Sequence, residues 1–325
     1  MKKSILALAV AGLFVTTAQA ANVYNDDGTE VDVYGRFQFD IRDSGGDQDV
    51  EGLGSARLGF KAKSRINDSI NALGRGEWQI AAENEDSSKF TARHVYAGFE
   101  FVDSGQLVFG QTDTAFYQAV AATDIFNTYG YAAFAGIEDG RQPGQIVYDG
   151  EFGGFYVGAS YQFSNDEFEI EVGNPNNPTN VPVTGADLDA GYALTLGYNF
   201  DFGLGVYGGY HVEQLDIGDK TNTALSATYS RNDLYLGGAY VMADLEGNEL
   251  EGYDLVAEYS FNALAVYGGY AYQKAGGNIS GDTADEATFA VAYKLNSNMK
   301  TWIEYKLDNM GDQDDAVNLG LQYNY

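Results

Sequence analysis

Runs of about 9 to 11 residues in which apolar and polar side chains alternate strictly recur along almost the whole chain, and they constrain the fold more than any other feature. Val31, Val33, Phe37, Phe39 and Ile41 alternate with Asp32, Tyr34, Arg36, Gln38 and Asp40. Leu58, Phe60 and Ala62 alternate with Arg57, Lys61 and Lys63, and Trp78, Ile80 and Ala82 with Glu77, Gln79 and Glu83. Successive side chains of a strand point to opposite faces, so each run is a strand with one apolar and one polar face. The pattern continues through Leu107 and Phe109, Ile146 and Tyr148, 155–163, 192–200, 204–212, 223–230, 233–242, 251–261, 263–273, 285–295 and 299–307. It ends with Val317–Tyr325, where Val317, Leu319, Leu321, Tyr323 and Tyr325 share one parity and Asn318, Gly320, Gln322 and Asn324 the other. A final strand must pair both edges or leave one open. Its natural partner is the first strand, and that closure makes a barrel of sixteen strands.

Connection lengths alternate too. Short ones at Asn67-Asp68, Asp103-Ser104, Asp201-Phe202, Arg231-Asn232, Phe261-Asn262 and Asn296-Ser297 interleave with long ones at 42–52, 84–88, 113–143, 164–190, 213–222, 243–250, 274–284 and 308–315. Bacterial transmembrane barrels have short periplasmic turns and longer external loops, whereas a soluble sandwich has no reason to collect its long loops at one end. The strand at 89–101 departs from simple parity. Counting back from Phe99 and Phe101 puts Arg93 on the apolar face, at a cost of roughly 2 to 4 kcal/mol in mid-bilayer. A bulge near Gly98 would return it to the polar side.

The start of the chain points to export. Lys2 and Lys3 precede an apolar run from Ile5 to Val15, and Ala18 and Ala20 supply an A-x-A cleavage site, so residues 1–20 read as a cleaved signal peptide and 21–325 as the mature barrel. There are 47 Asp and Glu against 18 Lys and Arg, two of which leave with the leader, giving the mature chain a formal charge of −31. Phosphate is repelled by such a chain, which excludes nucleic acid as a partner. Cysteine is absent, so disulfides do not hold this exported protein. The mean hydropathy of −0.28 hides the membrane character, because alternating faces average out. No run after Val15 reaches the length of a helical span.

The chain resembles the trimeric general diffusion porins of Gram-negative outer membranes, of the enteric and vibrio type. The resemblance is carried in order by V-D-V-Y-G-R at 31–36, S-A-R-L-G-F-K at 55–61, I-N-D-S at 66–69, A-G-F at 97–99, F-G-Q at 109–111 and the G-L-Q-Y-N-Y ending. It implies an all-β, sixteen-stranded transmembrane antiparallel barrel whose third external loop folds into the lumen, a homotrimer, and passive diffusion of small hydrophilic solutes and ions. On the matching loop, 113–143, Asp113, Asp124, Glu138 and Asp139 become the acidic side of the constriction. Arg36, Arg57, Arg75 and Arg93 become the basic wall, with Arg141 and Lys61 as further candidates. The expected neighbours are outer-membrane lipid and lipopolysaccharide, periplasmic chaperones and the outer-membrane assembly machinery, which reads the terminal aromatic pattern of Tyr323 and Tyr325. The family usually ends in Phe, and it carries a P-E-F-G-G segment in the constriction loop that is replaced here by D-T-A-F-Y-Q-A-V-A-A-T-D-I-F-N-T-Y-G-Y.

Blander roles compete for the same residues. The arginines can pair with Asp32, Asp40, Glu77 or Glu83 and merely satisfy the lumen face. Phe116, Tyr117, Phe126, Tyr129, Tyr131 and Phe134 suit either a sugar-sliding surface or, more simply, packing of the loop on the wall. Asp43, Asp47 and Asp49, like Asp312, Asp314 and Asp315, lack the Gly and terminal Glu of an EF-hand loop, so no metal is assigned. No cofactor is expected either: Gly203, Gly205 and Gly208 have dinucleotide-site spacing but sit inside a strand. His94 and His211 stand in no recognisable catalytic constellation, so an enzyme is not expected. Net charge suggests cation preference. Alternative functions are a solute-specific porin, for example for sugars, and a barrel serving chiefly as adhesin or phage receptor.

Overall fold

The computed structural model describes residues 20–325 apart from 47–48, 82–89, 138–139, 175–176, 278–279 and 312–313, so the expected leader lies outside the described residues except for Ala20. The strands are β1 (Ala21–Asp26), β2 (Thr29–Asp43), β3 (Glu51–Arg65), β4 (Ile70–Ala81), β5 (Phe90–Phe101), β6 (Gly105–Asp113), β7 (Arg141–Phe152), β8 (Phe155–Gln162) and β9 (Asn165–Asn174). They continue as β10 (Asn177–Asn199), β11 (Leu204–Leu215), β12 (Gly218–Arg231), β13 (Leu234–Leu245), β14 (Asn248–Phe261), β15 (Leu264–Gly276), β16 (Gly281–Lys294), β17 (Met299–Asp308) and β18 (Ala316–Asn324).

Following hydrogen-bonded neighbours from β2 to β8, across to β10, on to β18 and back to β2 closes an antiparallel ring of sixteen strands. The seam is the pairing expected between the first and last strands of the ring, from Val317 opposite Asp43 to Asn324 opposite Arg36. Two accessory strands lengthen hairpins without entering the ring. β1 folds back on β2 through Asp27-Gly28, both at positive φ, and β9 pairs with the first half of the 23-residue β10. The Asp-Gly pair is a strong hairpin signal, but β1 carries no alternation because it is exposed on both faces.

Closure gives the two parities different surroundings. Along β18, Asn318, Gly320, Gln322 and Asn324 are buried while Leu319, Leu321 and Tyr323 are exposed. Phe37, Leu196, Leu225, Leu255, Phe289 and Ile303 carry the same outward parity on their own strands and are exposed as well. An apolar belt of this extent would be an aggregation surface in water and is the expected outer face in hydrocarbon. Among the described residues no helix is long and apolar enough to cross a membrane.

The short connections fall where alternation places them, with Asp103, Asn232 and Asn262 at positive φ, a conformation that short polar side chains tolerate. At the opposite end two expected long loops are tight hairpins instead. β11 runs to Leu215 and β12 begins at Gly218, while β13 runs to Leu245 and β14 begins at Asn248 after Glu246-Gly247 at φ +52° and +80°. Past the apolar belt the polarity of the faces changes, with Leu215 buried inward against Ala186, Leu188 and Leu245, so backbone pairing continues after the apolar-out, polar-in alternation has stopped. The bulge in β5 is real but lies five residues from Gly98: Glu77 pairs with His94 and Trp78 with Ala92, leaving Arg93 as the extra residue. That insertion carries Arg93 inward beside His94 without disturbing the outward row Val95, Ala97 and Phe99.

Candidate functional site

From Thr114 to Ile137 the chain leaves the sheet and lies against the inward-parity face of its far side. Phe116, Ala119, Val120, Phe134 and Ile137 are fully buried against Ala193, Ala224, Ala239, Val241 and Ala243, and Ile125 and Phe126 pack on Ala265, Tyr267, Ala290, Ala292 and Trp302. Small wall residues leave a shallow recess that the loop fills, and each buried Phe contributes about 1.5 to 3 kcal/mol. Packing is therefore the role of Phe116, Phe126 and Phe134. A short helical turn at Tyr117–Val120 continues into a tighter turn at Ala121–Thr123, directing Asp124 away from the wall, where it is exposed. Tyr117 donates its hydroxyl to Asp124 Oδ2 at 2.8 Å.

One carboxylate fastens the tip of this loop. Glu304 on β17 is fully buried, and its oxygens accept the backbone N–H groups of Asn127 at 2.7 Å, Thr128 at 2.8 Å and Tyr129 at 3.0 Å. Tyr267 Oη and Asn127 Nδ2 donate to it as well, at 3.0 and 3.3 Å. Thr128 Oγ1 is bound in turn by Trp302 Nε1 at 3.2 Å and Asn318 Nδ2 at 2.8 Å, and Lys300 Nζ donates to Asn127 Oδ1. A charge taken from water is tolerable only when its lone pairs are satisfied, and here five donors do so. Burial pushes the Tyr129 phenol up, with Arg42 the principal opposing charge.

The opposite arc, β2 to β5, carries the guanidiniums. Arg36, Arg57, Arg75 and Arg93 have inward parity on four consecutive strands, and Arg36 pairs in register with Arg57. Three of them converge on Glu77: Arg75 Nη2 lies 2.6 Å from Oε2, Arg93 Nε 2.8 Å from Oε1 and Arg57 Nε 3.7 Å from Oε1. Tyr34 Oη donates to Glu77 Oε2 at 2.8 Å and accepts from Arg75 Nε at 2.9 Å. The carboxylate is sunk, its side chain 4% exposed, while the three arginines are 21–24% exposed, so the accessible edge of the cluster is cationic. Arg36 instead donates to Gln322 Oε1 across the barrel seam at 3.2 Å.

The acids predicted from sequence do not gather as one group. Asp113 ends β6 on the arginine side, 3.6 Å from Arg141 Nη1 and 4.0 Å from His94 Nε2. Asp124 lies on the loop, and Glu138 and Asp139 lie outside the described residues. Of the possible carboxylate partners for the arginines, Glu77 is used. Asp32 instead accepts from Asn22 Nδ2, Asp40 accepts from Gln38 Nε2 and Asn318 Nδ2, and Glu83 is outside the described residues. Lys61 sits over the Tyr34 ring at 5.0 Å. Tyr323 faces outward and Tyr325 lies at the seam. Sequence reasoning passed over Arg42, which shares the parity of Arg36, and Glu304, which shares that of Trp302; their parity was the available signal. It also passed over Asp254 and Glu258, inward on β14 and buried.

Comparison with known proteins agrees with this geometry. The profile of the Gram-negative porin family matches residues 7–316. Outer membrane porin F of Xenorhabdus nematophila is 27% identical, and outer membrane porin C of Enterobacter cloacae 28% identical, each over the whole of both chains. The solved structure of Salmonella typhi OmpF in complex with daunomycin has the same fold, with a TM-score of 0.80 over 94% of this chain and 100% of that one at 22% identity. With a closed sixteen-stranded barrel, an apolar outer belt and a family profile spanning nearly the full length, the chain belongs to the Gram-negative porins, integral β-barrel channels of the outer membrane.

Proposed function

We propose that this barrel is a general diffusion porin whose narrowest section lies between the loop at 114–137 and the arginine-bearing arc of β2 to β5. The observation that carries the reading is the placement of that loop against one half of the inner wall, with Arg57, Arg75 and Arg93 presented from the other half. Cationic edges on one side and Asp124 on the other set up a field across a narrow aqueous gap. Water and small polar solutes align with such a field, whereas apolar solutes must displace ordered water. Transport is passive, and cation preference follows from the −31 formal charge of the mature chain, opposed locally by the arginine cluster. The family resemblance adds a homotrimer set in lipid and lipopolysaccharide and assembled from a signal-bearing precursor. Planar bilayer recordings test the proposal: purified trimers give ohmic currents in three equal steps with a cation-directed reversal potential in a KCl gradient. Folded trimers that do not conduct would refute it.

A further inference from the structure

Three strands on the loop-bearing side carry paired glycines, Gly208-Gly209 on β11, Gly237-Gly238 on β13 and Gly268-Gly269 on β15. In each pair one residue has inward and the other outward parity. A Cβ built on inward Gly237 would stand 2.1 Å from the carbonyl oxygen of Ala122, and one on Gly252 of β14 would stand 2.6 Å from the carbonyl oxygen of Ala133. Both oxygens belong to the loop. Each is also gripped by a donor from the wall, Ala122 O by Tyr235 Oη at 2.7 Å and Ala133 O by Gln273 Nε2 at 3.1 Å. Gly209 meets the loop through side chains, with Ala119 Cβ 2.6 Å and Phe116 Cδ2 3.0 Å from its virtual Cβ. At Gly269 the nearest atom is wall backbone, Leu255 O at 2.8 Å, so that glycine serves the sheet first.

From this arrangement we infer that Gly237 and Gly252, each with its neighbouring donor, form two carbonyl sockets that set how deeply the loop sits in the wall and therefore how wide the channel is. The wall is a hydrogen-bonded closed sheet and has little freedom to recede, whereas the loop faces open lumen. An added methyl must drive the carbonyl inward by about 1 Å to regain an ordinary contact distance. Displacement toward the axis breaks the bond from Tyr235 or Gln273 and shrinks the aperture. The glycines thus act as positioning residues for the passage of solutes, and the inference rests on the diffusion-channel reading above.

Single-channel conductance of the full-length trimer separates the two claims. Gly237→Ala and Gly252→Ala are each expected to lower the conductance per step by roughly a quarter or more, because current follows the open cross-section of the narrowest zone. Gly238→Ala is the control: its Cβ points outward toward Leu255 Cδ2 at 3.0 Å, and wild-type conductance is expected. Tyr235→Phe keeps the recess but removes the donor, which should raise current noise while leaving the mean step near wild type. The virtual Cβ of Gly237 also lies 2.9 Å from Val256 Cγ2, so if that variant does not assemble, Gly252→Ala decides alone. Folded Gly252→Ala trimers with wild-type conductance would overturn the inference. A silent wild-type protein would overturn the channel reading beneath it.

Discussion

The phenol ring of Tyr325 lies across Gly35, the two residues exchanging backbone hydrogen bonds of 3.0 and 3.1 Å at the seam where β18 meets β2. A Cβ on Gly35 would stand 2.6 Å from Tyr325 Oη and 2.2 Å from Arg57 O, and the ring stacks on Phe37 at 5.4 Å. The last residue of the chain thus caps the closure of the ring, with glycine leaving the space. Gly35→Ala is expected to destabilise the folded barrel by about 1 to 3 kcal/mol through overpacking, read as a lower temperature for loss of the compact band on heated gels. Tyr325→Asp should reduce assembled trimer. Tyr325→Phe should cost about 1 kcal/mol or less, since only the 3.4 Å contact to Arg57 O is lost. A Gly35→Ala barrel that resists heat like wild type would refute the seam argument.

Glu304 holds three consecutive loop amides, so its isostere tests the latch. Glu304→Gln keeps the shape but turns one acceptor oxygen into a donor that faces N–H groups, a mismatch of about 1 to 3 kcal/mol. The barrel should still fold, with the loop tip loosened; recordings should show frequent partial closures absent from wild type. Quiet Glu304→Gln channels would mean that apolar packing alone seats the loop.

At the arginine cluster, Glu77→Gln removes the charge that relieves three guanidiniums. Reversal potentials in a salt gradient should move toward anions, and stability should fall by about 3 kcal/mol, less than for a fully buried pair because the arginines are partly exposed. Arg93→Gln should shift selectivity toward cations with a smaller loss of stability. Equal reversal potentials for the two variants would place the cluster outside the permeation path.

Asp124 is exposed, and Tyr117 can still donate to an amide oxygen at that position. Asp124→Asn should therefore change stability by no more than about 0.5 kcal/mol. It should nevertheless move the reversal potential toward anions, in the direction opposite to Arg93→Gln. An unchanged reversal potential would show that the exposed loop carboxylate is screened from permeating ions.

Much of this was legible in the chain. Period-two alternation separated exposed Leu319, Leu321 and Tyr323 from buried Asn318, Gln322 and Asn324, and it gave Arg36, Arg57 and Arg75 inward parity. The conflict at Arg93 correctly demanded a bulge, but alternation reports only that a phase changes somewhere between two well-phased segments. The position is decided by pairing with β4, where Glu77 and Trp78 flank the extra residue. Strand ends at Leu215 and Leu245 escaped for a related reason: past the apolar belt the inward face can be apolar and the outward face polar, as at Leu215, buried with Ala186 and Leu188, and at neighbouring Gln214, so the polarity pattern stops while the pairing goes on.

The sequence by itself determined which face of the strands is apolar and that the strands close into a ring, and it located the short turns at one end but not the tight hairpins at the other. These depend on local pattern and on the solvent each face meets. Only the tertiary structure decided that Glu77 gathers three arginines, that Asp113 stands with Arg141 rather than across from the arginines, and that Glu304 binds loop amides 175 to 177 positions away in the chain. It also decided that Gly237 and Gly252 make room for loop carbonyls. A period of two states the face on which a side chain lies but carries no information about which residue of a distant segment comes to lie against it; register and loop seating settle that together.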